Sequence, residues 1–186
     1  MKKIVFTGPE STGKTTLSEQ IAARFGVPHI LEAARLHLKN MPKNTRYSYE
    51  DLSVIAYKQL VIENVSWEFE TADELVKIPF IVCDTDLITI KIWSNEVFGK
   101  CDPMTLQNID NQSLKYEKEL YFLCSPEGVT WEDDPLRENP HDRDRLFELY
   151  EKELNEYKKN YKILRGSVEE RFAAACSEIS DLMNIF

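Results

Sequence analysis

Paired cysteines, long apolar runs, repeats and an excess of positive charge are all missing from this sequence, and each absence removes a class of protein. The four cysteines, Cys83, Cys101, Cys124 and Cys176, form no CxxC pair and no metal-ligand spacing, so neither a disulfide scaffold nor a zinc module is expected. Cys83 and Cys124 close apolar runs, where a free thiol behaves as a small core hydrophobe, and a reduced, cytoplasmic setting is the simple expectation. Nothing approaches the ~18 consecutive apolar residues of a membrane span. Lys2–Thr7 already reads as a strand, so no signal peptide is expected. The net charge of −9 argues against a protein that coats nucleic acid, because that affinity rests on Lys and Arg meeting phosphates. Low-complexity tracts are absent, and Gly and Pro are few, at six and eight. A chain of 186 residues with 42% hydrophobic content has enough apolar material for one domain with a substantial core.

What is present begins at once. KKIVFT (2–7) is an apolar run ending in a Gly-bearing turn, which predicts a buried strand, and Lys14–Phe25 has helical spacing through Leu17, Ile21, Ala22 and Phe25. A strand is expected at 27–31, a short helix at 32–39, a Pro-broken loop at 41–48 and a long helix at about 50–77. PFIVCD (79–84) predicts a strand and Leu87–Val97 a helix. A further strand is expected at 120–124, a long loop at 126–142, a helix at Arg143–Asn160, a strand at 161–165 and a closing helix at Val168–Asn184. Strands alternating with helices imply parallel βαβ units. The expected fold is therefore α/β: a P-loop NTPase three-layer sandwich around a mainly parallel five-stranded sheet, read as one domain over 1–186 with a lid at 126–142.

Between the first strand and the first helix stands GPESTGKT, Gly8 to Thr15, which matches G-x-x-x-x-G-K-[ST] in the strand–helix context that gives the motif its meaning. Such a loop turns backbone N–H groups toward phosphate oxygens, helped by the positive end of the helix. Gly8, Glu10, Ser11, Thr12, Gly13, Lys14, Thr15 and Thr16 are thus the candidate ATP contacts. Lys14 reaches the β and γ phosphates, and the Thr15 hydroxyl serves Mg2+.

The destination of the terminal phosphate follows from other residues. No N-K-x-D motif for guanine and no LSGGQ-like signature of a transporter ATPase occurs, which favours a small nucleoside or nucleotide kinase. Ligands of open α/β sheets bind beyond the carboxyl ends of the strands. Asp84 stands at such an end, where a carboxylate serves Mg2+, and Asp86 follows two residues later, although Asp86 also stands where a helix N-cap belongs. Glu32 and Arg35 follow the second strand and are either site residues or a surface i,i+3 pair. A kinase needs one carboxylate for metal and another for the acceptor hydroxyl, and Asp86 and Glu32 are both candidates for the second role. Arg137 is the preferred lid arginine, while Arg143 and Arg145 sit among acids and read equally as solvated helix-surface pairs. Trp131 is a candidate to stack on a ligand or to pin the loop.

GPESTGKTTL, CDTDLITIKIWSNEVFG and WEDDPLR together resemble the ribosylnicotinamide kinase domain of the NadR family, over about residues 3–172. The family pattern is a GPESTGK[ST]TL loop, a Glu-x-x-Arg after strand two, a D-T-D block with a following Trp and Phe-Gly, and P-W-x-x-D-x-x-R. The resemblance implies ATP- and Mg2+-dependent phosphorylation of nicotinamide riboside at its 5′-hydroxyl, giving nicotinamide mononucleotide, with a small molecule as the partner. It assigns Lys14 and Thr15 to ATP and Mg2+, Asp84 to the metal and Asp86 to the riboside. Glu32 and Arg35 match the Glu-x-x-Arg, and Arg137 matches the lid arginine. Gly166 and Ser167 fall where such kinases hold adenine. Trp93 would offer the cationic ring an aromatic face, or pack in the core with Ile88 and Ile92. Three positions depart from the pattern: Ala33 and Leu36 stand where Tyr and Glu are usual, and Thr130 stands where the lid usually has Pro. The histidines form no H-x-G-H motif, so the reaction is expected to stop at the mononucleotide. The rival expectations are a kinase for another nucleoside or nucleoside monophosphate, and a nucleotide-dependent regulatory ATPase.

Overall fold

Alternation of side chains along the strands decides the layering. In β1 (Lys2–Thr7), Ile4 and Phe6 face one side of the sheet with Phe80, Val82, Leu120 and Phe122, while Val5 faces the other with Ile81, Cys83, Tyr121 and Leu123. The computed structural model describes residues 2–42, 45–71, 79–134, 137 and 139–183. After β1 come α1 (Lys14–Phe25), β2 (His29–Ile30), α2 (Ala33–Lys39), α3 (Tyr49–Thr71), β3 (Phe80–Asp84) and α4 (Leu87–Phe98). The chain continues with α5 (Pro103–Lys115), β4 (Lys118–Cys124), α6 (Arg143–Glu156), β5 (Tyr161–Leu164) and α7 (Val168–Met183). The five strands lie in the order β2-β3-β1-β4-β5, and every pairing is parallel.

Helices α1 and α7 cover the Ile4/Phe6 face, where Leu17, Ile21, Ala175 and Ile179 are buried. The opposite face carries α3, α4, α5 and α6 through Leu52, Ile55, Ile88, Ile109, Phe147 and Leu154. This is the expected α/β sandwich. The β3 strand is buried along its whole length, and each large apolar side chain so removed from water contributes about 1.5–3 kcal/mol. The four cysteines are free, as expected. Among the described residues no helix is long and apolar enough to cross a membrane.

Three departures from expectation have local causes, and one expectation falls partly outside the described residues. β2 is only two residues long because it is an edge strand, paired to β3 alone, and Pro28 contributes a carbonyl to Val82 N–H (3.0 Å) but has no N–H of its own. Helix α5 was not among the expected elements, yet its signals are ordinary: Asp102 caps Thr105 N–H at 2.9 Å and Pro103 opens the first turn. Helix α6 stops at Glu156 rather than Asn160, because Lys158 takes a positive φ of 53° and Lys159 N–H turns back to Leu154 O. Helix α3 runs to Thr71, and the expected remainder to residue 77 lies outside the described residues.

Candidate active site

The loop after β1 is held open by its backbone. Gly8 has φ 127°, and a Cβ there would stand 2.8 Å from Cys124 O, so only glycine fits where the loop crosses the end of β4. Gly13, φ 80°, caps α1, whose Leu17 N–H returns to Gly13 O at 3.0 Å. The Thr12 hydroxyl donates to Pro9 O (2.9 Å), and the Lys14 ammonium reaches the same carbonyl (2.6 Å), lying across the cradle. Glu10 and Ser11 face the lid, and Thr16 is exposed on the first turn of α1.

The β3 end supplies the acid. Thr15 Oγ1 donates to Asp84 Oδ2 at 2.6 Å, joining loop to strand. The other oxygen, Asp84 Oδ1, is buried and accepts no hydrogen bond among the described residues. A buried carboxylate oxygen left without a donor fits a cation coming in from the phosphate side. Among the described residues no three His, Cys, Asp or Glu side chains converge on one point, so a cage made by protein alone is not formed. One carboxylate and one hydroxyl instead suit Mg2+, which is usually held by one or two protein oxygens together with substrate phosphates. Thr85 completes the turn with φ 68°, uncommon for a β-branched residue, and its N–H is held by Phe6 O at 3.0 Å.

Asp86 is placed differently from the expectation that it faces the riboside. It caps α4, Oδ1 accepting from Ile88 N–H (3.0 Å), while Oδ2 takes the Tyr121 hydroxyl (2.7 Å) with Lys3 Nζ 3.6 Å away. Burial and the nearby Asp86 hold the Tyr121 phenol well above its usual pKa, so it remains a donor. Only 3% of Asp86 is exposed. Behind it lies a buried relay that sequence reading missed. Lys3 pairs with Glu63 at 2.7 Å, Glu63 Oε1 accepts from Gln59 Nε2, and Gln59 Oε1 accepts Ala33 N–H at 2.9 Å. Burial works against the Lys3 charge, but Glu63 and Asp86 outweigh it and raise its pKa well above the ordinary value. The relay thus fixes the first residue of α2, directly after Glu32.

Glu32 is the N-cap residue of α2, yet among the described residues its side chain makes no capping bond, and a quarter of it is exposed. Glu32 follows β2, Asp84 ends β3 and Lys14 lies in the loop after β1, and these three strands are neighbours in the parallel sheet, so the groups open on one crevice. Burial raises the Glu32 pKa, Asp84 raises it further, and Lys14 and Arg35 oppose them. Arg35 stands 3.8 Å from Glu32 and binds Asp134 of the lid at 2.7 Å, so it bridges α2 and the lid rather than serving as a simple surface pair.

The lid folds onto the phosphate loop at Ser11. Glu132 N–H donates to Ser11 Oγ at 2.9 Å, Arg137 to the same oxygen at 3.2 Å, and Asn139 N–H to Glu10 at 2.9 Å. Arg137 also holds Glu132 O at 2.6 Å. The two arginines that opened as equals in sequence are separated. Arg143 turns inward to Ser11 O (3.2 Å) and Val129 O (2.9 Å), with its guanidinium over the Trp131 ring. Arg145 is half-exposed and paired with Asp142 and Glu96 on the surface. Trp131 is fastened to Asp133 at 2.9 Å. Trp93 donates to the Tyr47 hydroxyl at 3.0 Å and packs edge-on against that ring, its body on the core. Gly166 (φ 88°) and Ser167 form the turn into α7, where Ser167 and Glu170 make reciprocal capping bonds. Arg171, another residue missed in sequence, is buried behind the phosphate loop.

Similarity to known proteins agrees with this geometry. Over all of this chain, the fold matches a crystal structure of NadR protein in complex with NR, with a TM-score of 0.69 at 18% identity. A structure of NadR protein with NAD and AMP-PNP matches with a TM-score of 0.64 at 16% identity. The chain spans about half the length of those NadR proteins, 52% and 50%. A deoxyadenosine kinase from M. mycoides matches over 96% of this chain and 99% of its own, at 12% identity and a TM-score of 0.57. No curated protein sequence matches. The AAA domain family profile covers residues 3–171, nearly the whole chain. With that coverage, and with the phosphate loop, Asp84 and the parallel sheet in the arrangement described, the chain belongs to the AAA domain family.

Proposed function

We propose that this protein transfers the γ-phosphoryl group of ATP to the 5′-hydroxyl of nicotinamide riboside, releasing ADP and nicotinamide mononucleotide. The observation that carries the reading is the convergence of Lys14, Thr15, Asp84 and Glu32 on one crevice, beneath a lid that seats Arg137 and Arg143 on Ser11. Loop amides and Lys14 hold the triphosphate. Thr15 and Asp84 are the residues that would hold Mg2+, which spreads the charge of the phosphates when bound. Glu32, with its raised pKa and no capping bond, accepts the acceptor's hydroxyl proton as O5′ attacks the γ-phosphorus and the bond to the β-phosphate oxygen breaks. Asp86 is assigned a positioning role, because both of its oxygens already have donors. Arg137 and Arg143 neutralise the transferring group and exclude water.

The acceptor is supported by the D-T-D–Trp–Phe-Gly block and by the fold shared with NadR bound to NR. An acidic crevice also suits a cationic pyridinium ring. A second reading, a kinase for another nucleoside, draws on the fold shared with a deoxyadenosine kinase and on Ala33 standing buried where the resemblance has Tyr. A coupled assay of ADP formation, run with nicotinamide riboside, deoxyadenosine, deoxycytidine, uridine and water alone, separates them. A rate that rises steeply with nicotinamide riboside supports the first reading, and one that rises with a neutral nucleoside supports the second. A rate no higher than water's with every acceptor overturns both and returns the protein to a regulatory ATPase.

A further inference from the structure

Arg171, at the end of the first turn of α7, is 2% exposed, and among the described residues it makes no ion pair. Its donors go instead to three main-chain carbonyls: Nε to Gly166 O at 2.8 Å, one terminal nitrogen to Thr12 O at 3.2 Å, the other to Glu127 O at 3.3 Å. Those carbonyls belong to the turn before α7, to the phosphate loop and to the root of the lid. The neighbouring carboxylates are engaged elsewhere, Glu127 with Arg165 at 2.6 Å and Glu170 with Ser167 N–H at 2.7 Å. A buried cation without a counter-charge is costly, and carbonyl dipoles offset only part of that cost.

The arrangement has a direction. The Thr12 carbonyl and the Gly13 N–H share one planar trans peptide and so point opposite ways. A guanidinium that fixes the carbonyl from behind therefore points the N–H forward into the cradle, and polarises it as well. Burial also pushes the Cys124 thiol at the end of β4 up to about 12, and Lys14 and Arg171 both pull against that shift.

We propose that Arg171 is a positioning residue for nucleotide phosphates, its buried charge completed by the triphosphate across the loop. It acts through the Thr12–Gly13 peptide and touches no substrate. The inference rests on the reading that this loop binds ATP.

Titration calorimetry with AMP, ADP and ATP in the presence of Mg2+ tests it on the full chain, Arg171→Gln and Arg171→Lys, with thermal unfolding of each as a check on folding. A buried unit charge acting on the added phosphates is worth roughly tenfold at an effective dielectric between protein and water. Arg171→Gln is therefore expected to lower the AMP-to-ATP ratio of Kd by about tenfold, with AMP affinity itself changed by about twofold or less. Arg171→Lys keeps the charge and is expected to hold the ratio within about threefold. Equal weakening of all three nucleotides in Arg171→Gln, the mark of a merely structural bridge, overturns the proposal. So does a ratio lost in Arg171→Lys, and that arm decides the matter if the Gln variant does not fold. Failure of the underlying reading looks different: the unaltered protein then shows no preference for ATP over AMP.

Discussion

Replacing Lys3 by Met isolates the buried relay behind the site. The perturbation removes a cation that is 1% exposed and 2.7 Å from a fully buried carboxylate. Among the described residues Glu63 then keeps only Gln59, at 3.3 Å, and Asp86 keeps Tyr121 and Ile88 N–H. Breaking a buried pair by removing one partner costs about 3–5 kcal/mol. The protein can limit the loss by protonating Glu63, which from an ordinary pKa of ~4.3 at pH ~7.3 costs about 4 kcal/mol, ~3 units at ~1.36 kcal/mol each. The expected loss near neutral pH is thus about 3–4 kcal/mol, with a pH signature. In the variant the folded-state pKa of Glu63 lies above its unfolded value, so the folded chain takes up a proton and stability falls as pH rises, by up to about 1.4 kcal/mol per unit between pH ~5 and ~7. The parent is expected to show only a shallower form of this slope: burial already raises the Glu63 pKa there, but Lys3, charged in both states throughout that window, pulls against the shift. Urea unfolding followed by circular dichroism at several pH values measures both quantities. Adding Glu63→Gln to the variant removes the stranded charge and is expected to recover more than half of the loss. A loss below about 1 kcal/mol, a pH-independent loss, or a double variant no better than the single one would refute the reasoning.

Three further outcomes are expected. Gly8→Ala puts a methyl 2.8 Å from Cys124 O at φ 127°, which costs at least about 1–3 kcal/mol in thermal or urea unfolding and weakens ATP binding in calorimetry. Glu32→Gln lowers kcat by about 10²–10⁴-fold with little change in melting temperature, and abolishes the acidic limb of kcat/KM, which in the parent lies above the ordinary 4.5 because burial and then Asp84 raise the group. Asp134→Ala frees the lid from Arg35; stability changes by less than about 1 kcal/mol, since the pair is partly solvated, while tryptic cleavage within 126–142 accelerates.

Local chemistry is what sequence conveys, and here much of the protein is local. β1, α1, α4 and the phosphate loop were legible because apolar period, Gly-bearing turns and the G-x-x-x-x-G-K-[ST] spacing each reside within a dozen or so residues. Helix α5 was equally legible in principle through its Asp-Pro start, and its absence from the expectation reflects an unread cap rather than a tertiary override. The candidate residues for the chemistry were also visible as types: a lysine and threonine in the loop, acids at strand ends, arginines in a polar segment.

Orientation is another matter, because it depends on partners far along the chain. Asp86 and Glu32 are equal candidates as letters. Tyr121 and Lys3, 35 and 83 positions from Asp86 along the chain, draw its carboxylate inward, and the Gln59 contact to Ala33 leaves Glu32 free to face Asp84. Arg143 and Arg145 lie on one helical turn, yet Ser11 lies beside one and Glu96 beside the other. Arg171 carries no motif at all, and its position against Thr12 arises only because α7 packs beside α1. The order of residues determined an α/β protein with a phosphate loop; the packing of its sheet and helices decided which charges face the crevice, since a side chain's direction and pKa depend on neighbours brought together from across the chain.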